Sequence, residues 1–228
     1  MKIALFGYGK MGKLIEQLAL SQNFQVVCKF STSLPYSKNH KNQLKEADVC
    51  IDFSNPNSVL DTLRTCAEFN KPIIIGTTGW DDQIVEAKKI VGNTTIGCLY
   101  SPNFSVGVHL FMQIVSNAAS VMNSFAEYDV AGIEEHHNKK LDKPSGTAKA
   151  LSKTLSDQMN REVEFSSVRC GNIPGTHHIY FDGPVDTITL THQARNREGF
   201  AHGALNAAKW IVGKKGFYTM DDWINGVV

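Results

Sequence analysis

The sequence predicts an α/β protein in two parts. A parallel sheet wrapped by helices comes first, followed by a second α+β domain with a largely antiparallel sheet. Three observations carry this expectation. Short apolar runs alternate with helical periodicity over residues 1–100, the pattern of buried parallel strands under covering helices. A glycine-rich turn, Gly7-x-Gly9-x-x-Gly12, joins the first apolar run to the first helical stretch. Beyond residue 160, three β-like runs follow one another with only turns between them.

The elements follow in order. Lys2–Phe6 is apolar and reads as a strand. Lys13–Ser21 carries Leu14, Ile15, Leu18 and Ala19 at helical spacing. Phe24–Phe30 is a second strand, and Ser31–Lys45, polar and containing Pro35, is a loop with room for a short helix. Ala47–Phe53 is a third strand, Ser58–Asn70 a helix, Pro72–Ile75 a fourth strand, Asp81–Val91 a helix and Thr95–Tyr100 a fifth strand. After Pro102-Asn103-Phe104 a long helix spans about 106–125, and Tyr128–His136 reads as a strand ending in histidine. Pro144–Met159 is a helix with Ser145 as its N-cap. Glu164–Arg169, His177–Phe181 and Asp186–Ala194 are strands, Phe200–Val212 a helix, and Phe217–Trp223 a short strand and turn.

Composition narrows the function classes. The formal net charge is +1, so no global field draws nucleic acid or an anionic membrane, and neither is expected as a partner. No apolar run approaches the roughly 20 residues that span a bilayer. Met1 leads straight into Ile3–Phe6 without a basic leader segment, so a cytoplasmic protein is expected. The five cysteines, at 28, 50, 66, 98 and 170, form no CxxC and are expected as free, mostly buried thiols. No metal site is expected: there is no HExxH, and adjacent histidines on a strand point to opposite faces.

The glycine-rich turn has the setting that dinucleotide binding requires, directly after a strand and before a helix. The first glycine permits the tight turn, the second lets backbone approach a pyrophosphate, and the third lets the helix pack closely. Free N–H groups at the helix start then face the anion. Gly7, Tyr8, Gly9, Lys10, Met11 and Gly12 are therefore candidate cofactor residues. At the end of the second strand, Lys29-Phe30-Ser31-Thr32-Ser33 has no carboxylate to accept from a ribose 2′-hydroxyl. Its hydroxyls, with Lys29 or Lys38, suit a 2′-phosphate better, which points to NADPH ahead of NADH. Gly76-Thr77-Thr78 and Ser101-Pro102-Asn103-Phe104 follow the fourth and fifth strands, at the sheet edge where such folds bind ligands.

Residues 134–148 combine two histidines, several lysines and a Ser-Gly-Thr turn. Lysines attract an anion, Gly146 lets a backbone N–H come close to a carboxylate, and histidine moves protons near neutral pH. Glu135-His136-His137-Asn138-Lys139-Lys140-Leu141-Asp142-Lys143-Pro144-Ser145-Gly146-Thr147-Ala148 resembles the signature of the 4-hydroxy-tetrahydrodipicolinate (dihydrodipicolinate) reductase family. Gly7–Gly12, Gly76–Thr78, Asn103–Val108 and Phe200-Ala201-x-Gly203-Ala204 match it in the same order. Lys143 stands in place of the usual alanine, and Ser31 where many members carry an acidic residue.

The resemblance implies a cytoplasmic homotetramer of lysine and diaminopimelate biosynthesis that reduces a cyclic dicarboxylate with NAD(P)H. It implies a Rossmann-type domain over 1–104 and 197–228, and a substrate-binding and oligomerisation domain over 105–196. By position, His136 and Lys140 match the catalytic pair. His137, Lys140, Gly146 and Thr147 match the residues that hold the substrate dicarboxylate. Gly7–Gly12, Gly76–Thr78 and Ser101–Phe104 match the cofactor contacts, and Ser31 and Thr32 join them as cofactor candidates from the reading of the second strand's end. Two other readings compete: a different Rossmann-type dehydrogenase and a non-catalytic nucleotide sensor. The first lacks a cysteine on an exposed turn or a Lys-Pro pair at a strand end, since Lys71-Pro72 precedes its strand. The second lacks a DNA-binding helix-turn-helix.

Overall fold

The computed structural model describes residues 1–37 and 40–226. In chain order its elements are β1 (Lys2–Phe6), α1 (Lys10–Ser21), β2 (Gln25–Phe30), α2 (Lys41–Glu46), β3 (Val49–Asp52), α3 (Val59–Glu68), β4 (Ile73–Ile75), α4 (Ile84–Gly92) and β5 (Gly97–Tyr100). Then come α5 (Val106–Met122), β6 (Asp129–His136), α6 (Gly146–Met159), β7 (Phe165–Arg169), β8 (Thr176–Asp182), β9 (Thr187–Gln193), α7 (Glu198–Ile211), β10 (Gly216–Tyr218) and α8 (Met220–Asn225). The chain divides into two compact units, Met1–Ser105 with Glu198–Val228, and Val106–Arg197.

The first unit holds a six-stranded, wholly parallel sheet in the order β10-β5-β4-β3-β1-β2. Every residue of β3, β4 and β5 is buried, which is why these strands read as unbroken apolar runs. Ile73, Ile74 and Ile75 are fully covered, each stabilising the sheet by about 1.5–3 kcal/mol. The strand order reverses at β1, with β2 on one side and β3 on the other, so a crevice opens beyond the carboxyl ends of β1 and β3. α1 buries Gly12, Ile15 and Ala19 at helical spacing. α7 lies so close to the loop after β5 that a Cβ at Gly203 would sit 1.7 Å from the Phe104 carbonyl oxygen.

The closing segment differs from the expected strand and turn. β10 pairs with β5, but Met220–Asn225 is helical. Thr219 and Asp222 form a capping box: the Asp222 N–H donates to the Thr219 hydroxyl (3.3 Å), and the Thr219 N–H donates to the Asp222 carboxylate (2.7 Å). That Thr-x-x-Asp spacing marked the helix start in the sequence.

The second unit holds a four-stranded sheet in the order β7-β6-β8-β9. The β6–β8 and β8–β9 pairs are antiparallel, and β6–β7 is parallel because α6 crosses over between them. α5 and α6 cover one face. Phe111, Val115 and Ala119 meet Ala148, Leu151 and Leu155 above Ile179 and Phe181. The Ser145 hydroxyl accepts from the Ala148 N–H (3.2 Å) and caps α6, a contribution of about 1 kcal/mol. By strand alternation Ile133, Glu135, His178 and Tyr180 face away from the helices and stay partly exposed.

Candidate active site

In the first unit the crevice at the strand reversal is a cavity of about 860 Å³. The ends of β1 and β2 supply Phe6, Gly7, Tyr8, Gly9, Phe30, Ser31 and Thr32 to its wall. Gly7 is fixed by the fold: its φ is +90° and a Cβ would lie 2.1 Å from the Phe53 carbonyl oxygen. Gly9 is different. It caps α1 without a side-chain bond, it lines the cavity, and a Cβ there would meet nothing within 4 Å. Protein packing does not require glycine at this position, whereas a ligand seated against the α1 N-terminus does. The residues present therefore fit a dinucleotide pyrophosphate.

Lys10, Met11 and Gly12 form the first turn of α1 and do not line the cavity; their contribution is the backbone N–H of a helix start. Residues the sequence left unnoticed also line the wall: Lys13 on α1, Tyr36 in the segment after β2, and Ser54, Asn55, Ser58, Asp61 and Thr62 after β3. The signal for the last group was a run of small polar residues directly behind an apolar strand.

Lys29 does not face this cavity. Its ammonium is 2.9 Å from the Glu16 carboxylate and 3.2 Å from the Tyr8 hydroxyl, and it lies 4.4 Å from the centre of the Tyr8 ring. Tyr8 also donates to Glu16. The Tyr8 hydroxyl, with Lys29, holds the Glu16 carboxyl below its usual range, and Glu16 in turn raises Lys29. Lys38, the other cation expected near a 2′-phosphate, lies outside the described residues.

The two further loops are organised but not open. Thr77 is buried; its hydroxyl donates to Asp52 (2.8 Å) and accepts from the Ser54 N–H (2.8 Å), while its carbonyl takes the Trp80 indole N–H (2.7 Å). Gly76 is closed by the Phe53 ring, 2.2 Å from where a Cβ would sit, and Thr78 is exposed. Ser101 is buried and donates to the Asn103 carbonyl (2.6 Å), Pro102 is exposed, and the Phe104 side chain is core. Asp52, wholly buried, accepts from the Ser54 hydroxyl (2.6 Å) as well as from Thr77; burial raises its carboxyl above the ordinary range. It ties the loop after β3 to the loop after β4.

In the second unit the histidine–lysine segment gathers around the end of β6. Glu134 and His136 share the face turned to the helices, two residues apart, and both are buried. The His136 Nδ1 bonds the Glu134 carboxylate. The other Glu134 oxygen accepts from Arg169 on β7 (2.7 Å), whose guanidinium also donates to the Asp142 carbonyl (2.5 Å). His177 on β8 stands edge-on to His136, with ring centres 5.4 Å apart, and its Nε2 is 3.4 Å from the Ser145 hydroxyl. His137, just past the strand, is half-buried with its Nδ1 unpaired, and Lys140 pairs with the exposed Asp142 (2.8 Å). Gly146 and Thr147 occupy the first two positions of α6, where N–H groups have no intrahelical acceptor. A Cβ on Gly146 would meet nothing within 4 Å.

Burial sets the electrostatics here. It pushes the Glu134 carboxyl up, but Arg169 and His136 overcome it and hold the pKa at about 2. Burial lowers His136, and the Glu134 carboxylate partly restores it. Burial takes His177 down to about 4, so it is neutral near pH 7. Sequence reasoning missed Glu134, Arg169 and His177. Glu134 was legible as the residue two before His136 on a strand; Arg169 and His177 reach the site only through strand pairing.

Among the described residues no group of three or more His, Cys, Asp or Glu is placed to hold a metal ion, and no helix is long and apolar enough to cross a membrane. Cys28, Cys50, Cys66 and Cys98 are buried free thiols, and Cys170 is exposed.

Comparison with known proteins adds an independent line. Residues 1–104 match the family model described as dihydrodipicolinate reductase, N-terminus, and residues 107–224 the one described as dihydrodipicolinate reductase, C-terminus. A 4-hydroxy-tetrahydrodipicolinate reductase of Christiangramia forsetii is 36% identical over 97% of both chains. One of Staphylococcus saprophyticus is 36% identical over 97% of this chain and 100% of its own. Among solved structures, a dipicolinate-bound dihydrodipicolinate reductase from Paenisporosarcina sp. TG-14 superposes with a TM-score of 0.80 at 25% identity, covering 96% of this chain and 97% of the other.

Proposed function

The chain belongs to the dihydrodipicolinate reductase family, and on that premise we propose that it reduces 4-hydroxy-tetrahydrodipicolinate, by way of dihydrodipicolinate, to tetrahydrodipicolinate in lysine and diaminopimelate biosynthesis. The observation that carries this reading is the cluster at the end of β6, where a buried histidine, a lysine and a capped helix start lie in one short segment. The unit built on residues 1–105 and 198–228 binds the nicotinamide cofactor, and the other unit binds the substrate.

The nicotinamide supplies the hydride. Gly7, Tyr8 and Gly9 hold the dinucleotide along the crevice, with the first-turn N–H groups of α1, from Lys10 to Gly12, directed at its pyrophosphate. Ser31 and Thr32 meet the adenosine end. Gly76, Thr77, Thr78 and Ser101–Phe104 shape the nicotinamide end mainly through backbone, since Thr77, Ser101 and Phe104 are buried. NADPH is the preferred cofactor. The hydroxyls of Ser31 and Thr32, and Lys13 in the same wall, suit a 2′-phosphate, whereas Lys29 is already paired with Glu16.

The Gly146 and Thr147 N–H groups take one substrate carboxylate, as a helix start takes an anion, and Lys140 and His137 add charge. Holding the ring in this way is worth several kcal/mol of the barrier. As the ring gains a hydride, charge develops toward its nitrogen and the neighbouring carbon, and a proton must arrive. His136 or Lys140 delivers it, a contribution of roughly 10²–10⁴-fold. The sheet face that carries Ile133, Glu135, His178 and Tyr180 is partly exposed and suits self-association, and a homotetramer in the cytoplasm is the expected assembly and location. Steady-state oxidation of NADPH and NADH, with substrate generated by a coupled synthase, tests the assignment. Substrate-dependent turnover with higher kcat/KM for NADPH is expected; turnover only with NADH removes the cofactor preference, and none with either removes the function.

A further inference from the structure

Glu134 is wholly buried, yet it is a charged group that no part of the reaction above uses. A carboxylate costs several kcal/mol to bury unless it is paired, so its retention calls for a reason. Its two oxygens are divided: one accepts from Arg169 at 2.7 Å, and the other bonds His136 Nδ1. An ionised carboxylate only accepts, so the Nδ1 must carry hydrogen, and the neutral ring is thereby fixed with its lone pair on Nε2.

The opposite edge of the ring is kept open by a second device. Gly175, just before β8, has φ +147°, and a Cβ there would stand 2.9 Å from His136 Nε2. Glycine at 175 thus leaves clear the one nitrogen that can exchange a proton. The other groups around the ring are Arg169 on β7, His177 on β8 and Lys140 in the loop after β6. Arg169 and Lys140 are positive and His177 is neutral at pH 7, so Glu134 is the anion that supports an imidazolium here.

We propose that Glu134 is the positioning residue of the proton donor: anchored by Arg169, it fixes the His136 tautomer and supports the charged ring, with Gly175 keeping Nε2 accessible. This rests on His136 acting as the donor. In the step itself the Nε2–H bond breaks, the proton passes to the reduced substrate ring, and His136 is left neutral with Nδ1–H still bonded to Glu134. Water then re-protonates Nε2, and Glu134 stays ionised throughout, held by Arg169.

The test uses the full chain carrying Glu134→Gln, with His136→Gln as reference. Nitrogen NMR of isotope-labelled histidine reads the tautomer and protonation of His136, assigned by the signal lost in His136→Gln. The wild-type ring is expected as the Nδ1–H tautomer. In Glu134→Gln the imidazolium should be lost at lower pH and the alkaline fall in kcat should move to lower pH. Turnover at neutral pH should drop at least about tenfold, since one pKa unit is a factor of ten, with the cofactor KM unchanged. An unaltered His136 signal and pH profile in Glu134→Gln, beside an inactive His136→Gln, overturns the role of Glu134 alone. A fully active His136→Gln overturns the donor assignment instead. If Glu134→Gln does not fold, Glu134→Gln with Arg169→Met removes both buried charges; the same shift in the His136 signal is expected, and its absence overturns the proposal.

Discussion

In the proposed assignment the first unit would meet its anion mainly with backbone, whereas the second would add charged side chains to a helix start. At the crevice the proposed contacts are Gly7, Gly9 and the first turn of α1, and among the described residues Lys13 and Asp61 are the charged groups in the wall. At the end of β6 Glu134, His136 and Arg169 are joined through short polar contacts in a buried setting, and Lys140 stands nearby in a half-exposed pair with Asp142. A backbone cradle fails when a side chain is added. A buried charged network fails when one is removed, because its partners are left unpaired. Both helix starts should therefore fail when a side chain is added, and the buried charged network of the second unit should fail in addition when one is removed.

The largest effect belongs to the side-chain half. Lys140→Ala should lower kcat by roughly 10²–10⁴-fold, the range for losing a proton-handling or charge-stabilising group. Its ion pair with Asp142 is half-exposed, so folding should barely change. Rapid-quench or steady-state kinetics beside a melting curve will show whether chemistry and stability separate as expected.

Acid should distinguish the halves next. His177 has a pKa of about 4 when folded against 6.5 for the ordinary group, so the unfolded chain binds more protons between those values. The stability this histidine contributes is present above pH 6.5 and is lost as pH falls toward 4, at most about 3 kcal/mol. Glu134, at about 2 when folded, extends the loss below pH 4. Asp52 in the other unit is raised instead, so its contribution grows on acidification. Hydrogen exchange from pH 7 to 4 should show the second unit opening first, and His177→Phe should flatten its dependence; equal opening of both units would remove the contrast.

How far this division was legible in the sequence follows the same lines. The glycine turn between β1 and α1 was readable because a strand–glycine–helix sequence is local and needs no distant partner to declare itself. The parallel sheet was readable because β3, β4 and β5 are buried on both faces and so are apolar throughout. The histidine network was only half readable. His136, Lys140 and Gly146 lie in one stretch, but Arg169 and His177 are brought in by β6–β7 and β6–β8 pairing, and pairing partners are not written locally. Lys29 misled for a related reason: Glu16, thirteen residues earlier on α1, takes its charge.

A sharper comparison uses glycines whose Cβ would meet no protein atom, one in each half. Gly146→Ala should leave stability unchanged or raise it by about 0.4–1 kcal/mol, and Gly9→Ala, at an N-cap where alanine is poorer than glycine, should lower it by less than about 1 kcal/mol. Gly9→Ala should raise the KM for the cofactor alone, and Gly146→Ala the KM for the substrate alone, by several-fold. A crossed pattern in the two KM values would contradict the division. The smallest effect is expected at Lys29. Because its ammonium is held by Glu16 and Tyr8, Lys29→Ala should change the NADPH to NADH ratio of kcat/KM by less than about threefold and stability by less than about 1 kcal/mol.

The division of labour itself is tested most directly by one pair of readings on His136→Gln: cofactor affinity by fluorescence titration and substrate-dependent turnover in the same preparation. Cofactor affinity within about twofold of wild type, with turnover reduced by roughly 10² or more, is the expected result. Turnover near the wild-type rate, or loss of cofactor binding together with turnover, would contradict it.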